Sequence, residues 1–109
     1  MIKLTVKRTA EKEYMGFTCR GHAGYADYGQ DIVCAGVSAL VVSMIQSIDA
    51  LTEDVITTSA DEETGEVICS FAQPASKEAT LLLDALLIGC RSIAAEYGDD
   101  YIEITFREV

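Results

Sequence analysis

Apolar and polar residues alternate near the start of the chain and then change to helical spacing. The alternation over residues 2–8 and 14–20 predicts two β-strands joined by a polar turn. A helix is predicted over residues 32–51, where apolar side chains recur every three or four positions. These side chains are Val33, Val37, Leu40, Val41, Met44, Ile48 and Leu51. Because no charge lies between Asp31 and Asp49, we expect protein to cover most of this helix, which predicts a subunit interface.

The second half of the chain repeats this order and closes on a strand. β-rich runs over residues 55–59 and 66–71 flank an acidic turn that contains glycine, which predicts a hairpin. Residues 74–76 open a second helix, and Gly98 is a natural stop for it. Its apolar stripe comprises Ala79, Leu82, Leu83, Leu86, Leu87, Cys90, Ile93, Ala94 and Tyr97. The last strand, residues 101–107, places Ile102, Ile104 and Phe106 on one face.

The order ββαββαβ predicts an α+β fold in which one mixed or antiparallel sheet packs against two main helices. A chain of 109 residues has room for one core, so we expect a single domain over residues 1–109. The first residues already alternate as in a strand and show no basic-then-apolar pattern, so we expect no secretion signal. The longest charge-free run, residues 32–48, is too short for a persuasive membrane span. We therefore expect a soluble, cytoplasmic protein that makes no membrane contact.

The formal net charge of −10 narrows the choice of partners. Nucleic acid binding needs clusters of Lys and Arg, and the sequence has none, so we expect no direct nucleic acid partner. A basic partner or substrate is favoured, because opposite charge raises encounter rates. Acidity that serves only solubility explains the composition equally well.

The four cysteines do not have the spacing of a metal site. No CxxC pair is present and the chain has one histidine, so we expect no metal and no cofactor, and reduced thiols. Three of them, Cys19, Cys69 and Cys90, continue apolar patterns and read as small core side chains. Cys34 instead stands at the start of the first helix.

Cys34 and the single histidine, His22, have the parts of a thiolate nucleophile and its base. With Asp31 as N-cap, Cys34 is the third helical residue, where free N–H groups and the helix dipole favour a thiolate and could hold an oxyanion. His22 reaches Cys34 only if the chain leaves the second strand by Gly21. The alternatives are that Cys34 is a fourth core cysteine and that His22 is an ordinary loop histidine.

The residues around this pair each allow two interpretations. Asp31 either caps the helix, which we rank first, or orients the imidazole of His22. Asp27 could also orient it, although loop aspartates are usually solvated. Ser38, one turn after Cys34, either hydrogen-bonds the thiol or fills a crowded helix face.

The segment between the two candidate residues is a glycine-bearing loop. Gly21, Gly24 and Gly29 allow positive φ angles, and their spacing is not that of a phosphate-binding motif. Tyr25 and Tyr28 either line a substrate pocket or cover the loop.

The chain resembles the ribosomal-processing cysteine protease family, Prp. The resemblance covers the whole length and is most specific at residues 21–23, 28–29, 31–36 and 38–39, which read GHA, YG, DIVCAG and SA. It implies a cytoplasmic bacterial homodimer that removes a short N-terminal extension from large-subunit ribosomal protein twenty-seven.

The same resemblance assigns roles to the candidate residues. It implies that Cys34 is the nucleophile, that His22 is the general base, and that Asp31 and Ser38 support them. The loop between His22 and Cys34 would be mobile and would order over substrate. Two rival functions are a non-enzymatic ribosome-associated binding module and a thiol redox sensor, the second of which needs a resolving cysteine nearby.

Overall fold

Five strands and two helices form the fold in a computed structural model that describes residues 1–21, 26 and 31–109. The elements are β1 (Ile2–Arg8), β2 (Tyr14–Arg20), α1 (Ile32–Leu51), β3 (Ile56–Ala60), β4 (Val67–Phe71), α2 (Lys77–Tyr97) and β5 (Ile102–Glu108). The sheet order is β3-β4-β2-β1-β5, with β1 and β5 parallel and the other neighbours antiparallel. The predicted α+β class and element order are confirmed, and the last three strands begin one residue later than predicted.

The core lies between the two helices and one face of the sheet. Alternate strand residues such as Leu4, Val6 and Phe17 are buried there together with one stripe of each helix. The helices run antiparallel, because α1 meets α2 at Gly36 beside Ile93 and at Leu40 beside Gly89. The beginning of α1 therefore lies near the end of α2. Both helices pack on the same face of the sheet, and among the described residues no helix lies on the other face.

Three apolar side chains predicted to be buried are exposed. Leu51 is 71% exposed and Tyr97 38%, because they are the last residues of α1 and α2. Phe106 is 39% exposed because it lies on β5, an edge strand of the sheet. The single chain buries only part of α1, and the cover of the rest by a subunit interface stays a prediction. Its buried positions form one stripe, namely Val33, Val37, Val41, Met44 and Ile48. In a two-layer fold, a helix contacts the sheet on one side and its neighbouring helix on another, and the rest of its surface faces outward.

A carboxylate joins the chain after α1 to the start of α2. Ser76 is the N-cap of α2, and its Oγ accepts a hydrogen bond from the Ala79 N–H at 3.1 Å. Asp54 accepts from the Ser76 N–H at 2.8 Å and from its hydroxyl. Burial alone would raise the pKa of Asp54, but these hydrogen bonds from Ser76 lower it overall. The Asp54 carboxylate thereby links the segment after α1 to the N-cap residue of α2.

Candidate active site

The first turn of α1 holds Cys34 in the predicted position. Asp31 is the N-cap, with φ −82° and ψ 99°, and its Oδ1 accepts a hydrogen bond from the Cys34 N–H at 3.0 Å. The Asp31 carbonyl accepts the first helical bond, from the Ala35 N–H at 3.1 Å. Asp31 is 5% exposed, so this cap is shielded from water. Asp31 caps the helix as predicted, and Cys34 is the third residue of the helix. Whether Asp31 also orients His22 stays a prediction.

An apolar cavity of about 110 Å³ opens beside Cys34. Ser38, one helical turn further on, lines it as well. The remaining lining residues come from α1, from the strands and from the hairpin turn: Ile2, Cys19, Gly21, Val37, Val41, Val42, Gly65 and Val67. Its volume suits one small apolar side chain, by comparison with benzene-binding cavities of about 150 Å³. The half-buried thiol therefore borders a space that could hold a substrate.

The other three cysteines are buried, as predicted. Burial raises the pKa of Cys69 and Cys90 to about 11. Burial also raises the pKa of Cys19 to about 11, with smaller contributions from the charges of Cys90 and Cys34. These three thiols are neutral at physiological pH, whereas Cys34 lies at a helix start and is only half-buried. The structure thus separates Cys34 from the core cysteines.

This separation predicts selective alkylation under native conditions. At pH 8, a thiol with a pKa of about 11 is ionised in roughly one molecule in a thousand, and these three are also shielded from reagent. Iodoacetamide should therefore modify Cys34 well before Cys19, Cys69 or Cys90, as measured by peptide mass spectrometry. Labelling in denaturant should equalise the four and provides the control. Equal labelling of all four cysteines in the folded protein would show that Cys34 has no special reactivity.

The chain leaves β2 at the point where the predicted pairing requires it. β2 ends at Arg20, and Gly21 has a φ of +98°; a Cβ at Gly21 would lie 2.4 Å from the Met1 carbonyl oxygen. The chain has thus left the strand by Gly21, which is the condition stated above for His22 to reach Cys34. The other predicted loop residues lie outside the described residues: His22, Gly24, Tyr25, Asp27, Tyr28 and Gly29. The pairing of His22 with Cys34 and the ordering of the loop over substrate stay predictions.

A second, open groove of about 520 Å³ adjoins the cavity and was missed by the sequence analysis. Both spaces share Gly21 and the β3–β4 turn. Lys3 and Arg20 line the groove from the sheet, and Asp61 and Glu66 line it from the turn. The acidic turn was visible in the sequence, but only the pairing of β4 with β2 brings it beside Arg20. Among the described residues, no three His, Cys, Asp or Glu side chains are grouped to hold a metal ion.

Comparison with known proteins relates this arrangement to one family. A family model described as cysteine protease Prp matches residues 1–103. The ribosomal processing cysteine protease Prp of Bacillus subtilis is 30% identical over 104 residues, which cover 92% of this chain and 93% of that protein. The Staphylococcus aureus protein of the same name is 29% identical over 100 residues, which cover 92% and 94%.

Solved structures show the same similarity in three dimensions. The S. aureus protease with a covalently linked product peptide superposes with a TM-score of 0.90 at 28% identity, over 98% of this chain and 100% of that one. The S. aureus protease with a substrate peptide superposes with a TM-score of 0.85 at 27% identity and the same coverage.

Proposed function

We propose that Cys34 is the nucleophile and His22 the general base of an endopeptidase. The chain belongs to the Prp family of cysteine proteases. The observation that carries this proposal is the position of Cys34. It is the half-buried cysteine, it lies in the first turn of α1, and it borders a cavity. Cys19 lines the same cavity, but its thiol is buried and neutral, as are those of Cys69 and Cys90. Family membership favours this function over a binding module or a redox sensor.

The proposed reaction proceeds through an acyl-enzyme. His22 takes the thiol proton of Cys34, and the thiolate sulfur attacks the scissile carbonyl carbon. The tetrahedral intermediate collapses as the C–N bond breaks, and His22 gives its proton to the leaving amine. Water then attacks the thioester carbonyl while His22 takes a proton from the water. The C–S bond breaks, the carboxylic acid product leaves, and His22 returns the proton to the Cys34 sulfur. A product peptide covalently linked to the S. aureus protease is consistent with a bond of this kind.

The helix start narrows the choice of donors for the oxyanion. The Cys34 N–H already donates to Asp31 Oδ1, so it is engaged by the cap. The N–H groups of Ile32 and Val33 precede it in the first turn and have no acceptor within the helix. We therefore assign oxyanion stabilisation to these two amides, in place of the Cys34 amide.

The proposed substrate is the precursor of large-subunit ribosomal protein twenty-seven, from which the enzyme would remove a short N-terminal extension. Support comes from the names of the B. subtilis and S. aureus relatives, which are ribosomal processing proteases. The net charge of −10 suits a basic ribosomal protein, since opposite charge speeds association. The apolar lining of the cavity suits an uncharged residue beside the scissile bond. Because ribosomal proteins are made in the cytoplasm, we propose a cytoplasmic location for the enzyme as well.

The test is to incubate the protein with this precursor and to measure the fragment masses. The proposal expects one cut that yields the mature protein and a short peptide, and no cut with the Cys34→Ala variant. An intact precursor after long incubation with the folded enzyme would refute the substrate. Cleavage by the Cys34→Ala variant would refute the nucleophile.

Replacing Asp31 separates its capping role from a catalytic one. Asn also caps helices well, so Asp31→Asn should keep activity within about tenfold of the native enzyme. Asp31→Ala should lower the free energy of unfolding by about 1 kcal/mol, since the first turn loses its cap. The measurements are cleavage rate and thermal unfolding. If Asp31→Asn is as inactive as Cys34→Ala while remaining folded, the carboxylate takes part in the chemistry and does more than cap.

We also propose that the protein is a homodimer that covers the outward face of α1. Ile32 is 52% exposed on this helix and Val42 is 49% exposed, with no charged residue between them. By length and composition α1 could span a membrane, and 28% of that segment is buried in the fold. Since the buried stripe packs in the core, a second protein surface is the occupant that we favour over lipid.

Sedimentation at micromolar concentration tests the dimer. We expect twice the chain mass of 11.8 kDa, and a Val42→Glu variant should shift the protein toward monomer because it buries a charge in the contact. The control, Gln73→Glu, adds the same charge at an exposed position outside α1, between β4 and α2. A monomer in the native protein, or flotation of the native protein with lipid vesicles, would contradict the assignment.

A further inference from the structure

The face of the sheet that the helices leave open is positively charged, whereas the chain as a whole is negatively charged. The strand register places Lys3, Lys7, Arg20 and Arg107 on this face, because Lys3 pairs with Arg20 and Lys7 pairs with Arg107. These are four of the eight Lys and Arg residues of a chain whose net charge is −10. Among the described strands, the single carboxylate on this face is Glu103, which pairs with Lys3. Asp61 and Glu66 also line the groove beside Lys3 and Arg20, whereas no carboxylate occupies the register positions beside Lys7 and Arg107.

The cations stand in two pairs on either side of a row of hydroxyls. Lys3 and Arg20 form one pair, and Lys7 and Arg107 form the other, about 13 Å away along β1. Thr5 pairs with Thr18 and Thr105 between them, and the Thr105 hydroxyl donates to the Thr5 hydroxyl at 3.4 Å. Within the part of the chain that the structure describes, no carboxylate lies within 4.0 Å of these four cations.

We propose that this open face, the β1–β2–β5 face, binds the phosphate backbone of RNA. Lys, Arg, Ser and Thr are the side chains that hold phosphate oxygens, and here they alternate along one flat surface. A protein partner is disfavoured, since such interfaces have an apolar, aromatic core and Ile68 is the one large apolar side chain at the register positions of this face. The same positions carry no aromatic ring on which a base could stack, so the binding is independent of base sequence.

The acidic remainder of the chain weakens this contact without abolishing it. Asp61 and Glu66 lie near Lys3 and Arg20 and oppose the contact at that end of the face. Most other carboxylates lie on helices and other turns, and charges farther away than about 10 Å are screened at 0.1 M salt. Four phosphate contacts give a slope of about −3 in a plot of log affinity against log salt for a single strand. Affinity should therefore fall by about 50-fold between about 50 and 200 mM salt.

Fluorescence anisotropy with a labelled oligouridylate of about 20 nucleotides tests the proposal. The double variant Lys7→Glu with Arg107→Glu should weaken binding at least tenfold, and the neutral pair Lys7→Gln with Arg107→Gln should reduce the salt slope to about −1.5. The matched control, Lys77→Glu with Arg91→Glu, makes the same charge change on α2 and should alter affinity less than twofold. Neither pair belongs to the proposed catalytic site, so peptide cleavage should be unchanged and reports that each variant is folded.

Three outcomes would overturn the proposal. In the first, the native protein does not bind the oligouridylate at about 50 mM salt. In the second, the face variant and the α2 control lose the same affinity for it. In the third, polyglutamate displaces the labelled RNA as effectively as unlabelled RNA of the same total charge. The last result would identify an acidic polypeptide as the ligand. All three are independent of proteolysis, which the same preparations measure separately.

Discussion

Cys34→Ala and His22→Ala are each expected to reduce precursor cleavage by at least about 10³-fold. The first removes the sulfur that would bond to the scissile carbon, and the second removes the group that would take and return its proton. Cys34 is half-buried at a helix start and makes no part of the buried core stripe of α1, so its replacement by alanine should leave the fold intact. Cleavage rate and circular dichroism, measured on the same preparations, test both expectations.

A core cysteine supplies the matched control. Cys90→Ala removes a buried thiol from α2 that is neutral in the folded protein, so it should lower stability and leave the chemistry of the folded enzyme unchanged. If Cys90→Ala loses as much activity as Cys34→Ala while still folded, the assignment of the nucleophile is wrong. A folded His22→Ala enzyme with native activity would show that another group takes the proton.

Of the substitutions considered, Gly16→Ala is expected to lower the free energy of unfolding the most. A Cβ at Gly16 would lie 2.3 Å from the Cys69 carbonyl oxygen, and its φ of +154° strains any other residue. Gly16 pairs with Ser70, so neither β2 nor β4 can move without breaking the sheet. Overpacking and strain together should lower the free energy of unfolding by about 3 kcal/mol or more, a large part of the 5–15 kcal/mol that stabilises a typical domain.

A second glycine separates crowding from backbone strain. Gly65, in the β3–β4 turn, also has a positive φ, +73°, but a Cβ there meets nothing within 4 Å. Gly65→Ala should therefore cost about 1 kcal/mol, from conformation alone. Thermal unfolding of the two variants measures the difference. Similar melting temperatures would show that β2 and β4 separate more easily than their close approach indicates.

The sequence predicted the elements well because each has a strong local signal. The spacing of Asp31 and Cys34 was enough to place the thiol in the first helical turn, and the apolar stripes located the core face of both helices. Burial at the ends of elements was predicted less well. Leu51, for example, follows the helical period, but whether a neighbour covers it depends on the length of the surrounding layers, which periodicity does not contain.

Features that depend on strand pairing were out of reach of the sequence. The groove needs Arg20 and Glu66 side by side, and the cationic face needs β1 next to both β2 and β5. The net charge is a sum over the whole sequence and does not show which charges the fold brings together. Lys7 and Arg107 are far apart in the chain and become neighbours through the parallel pairing of β1 with β5.

The most direct test of the central claim is to locate a substrate-derived label on the protein. Fragment masses from precursor cleavage identify the residue before the cut, and a peptide with that sequence ending in a chloromethyl ketone then alkylates the attacking nucleophile. Tandem mass spectrometry should find the adduct on Cys34 alone, with activity lost in proportion to labelling. Inactivation with the adduct on Cys19, Cys69 or Cys90, or full activity after Cys34 is completely labelled, would contradict the account.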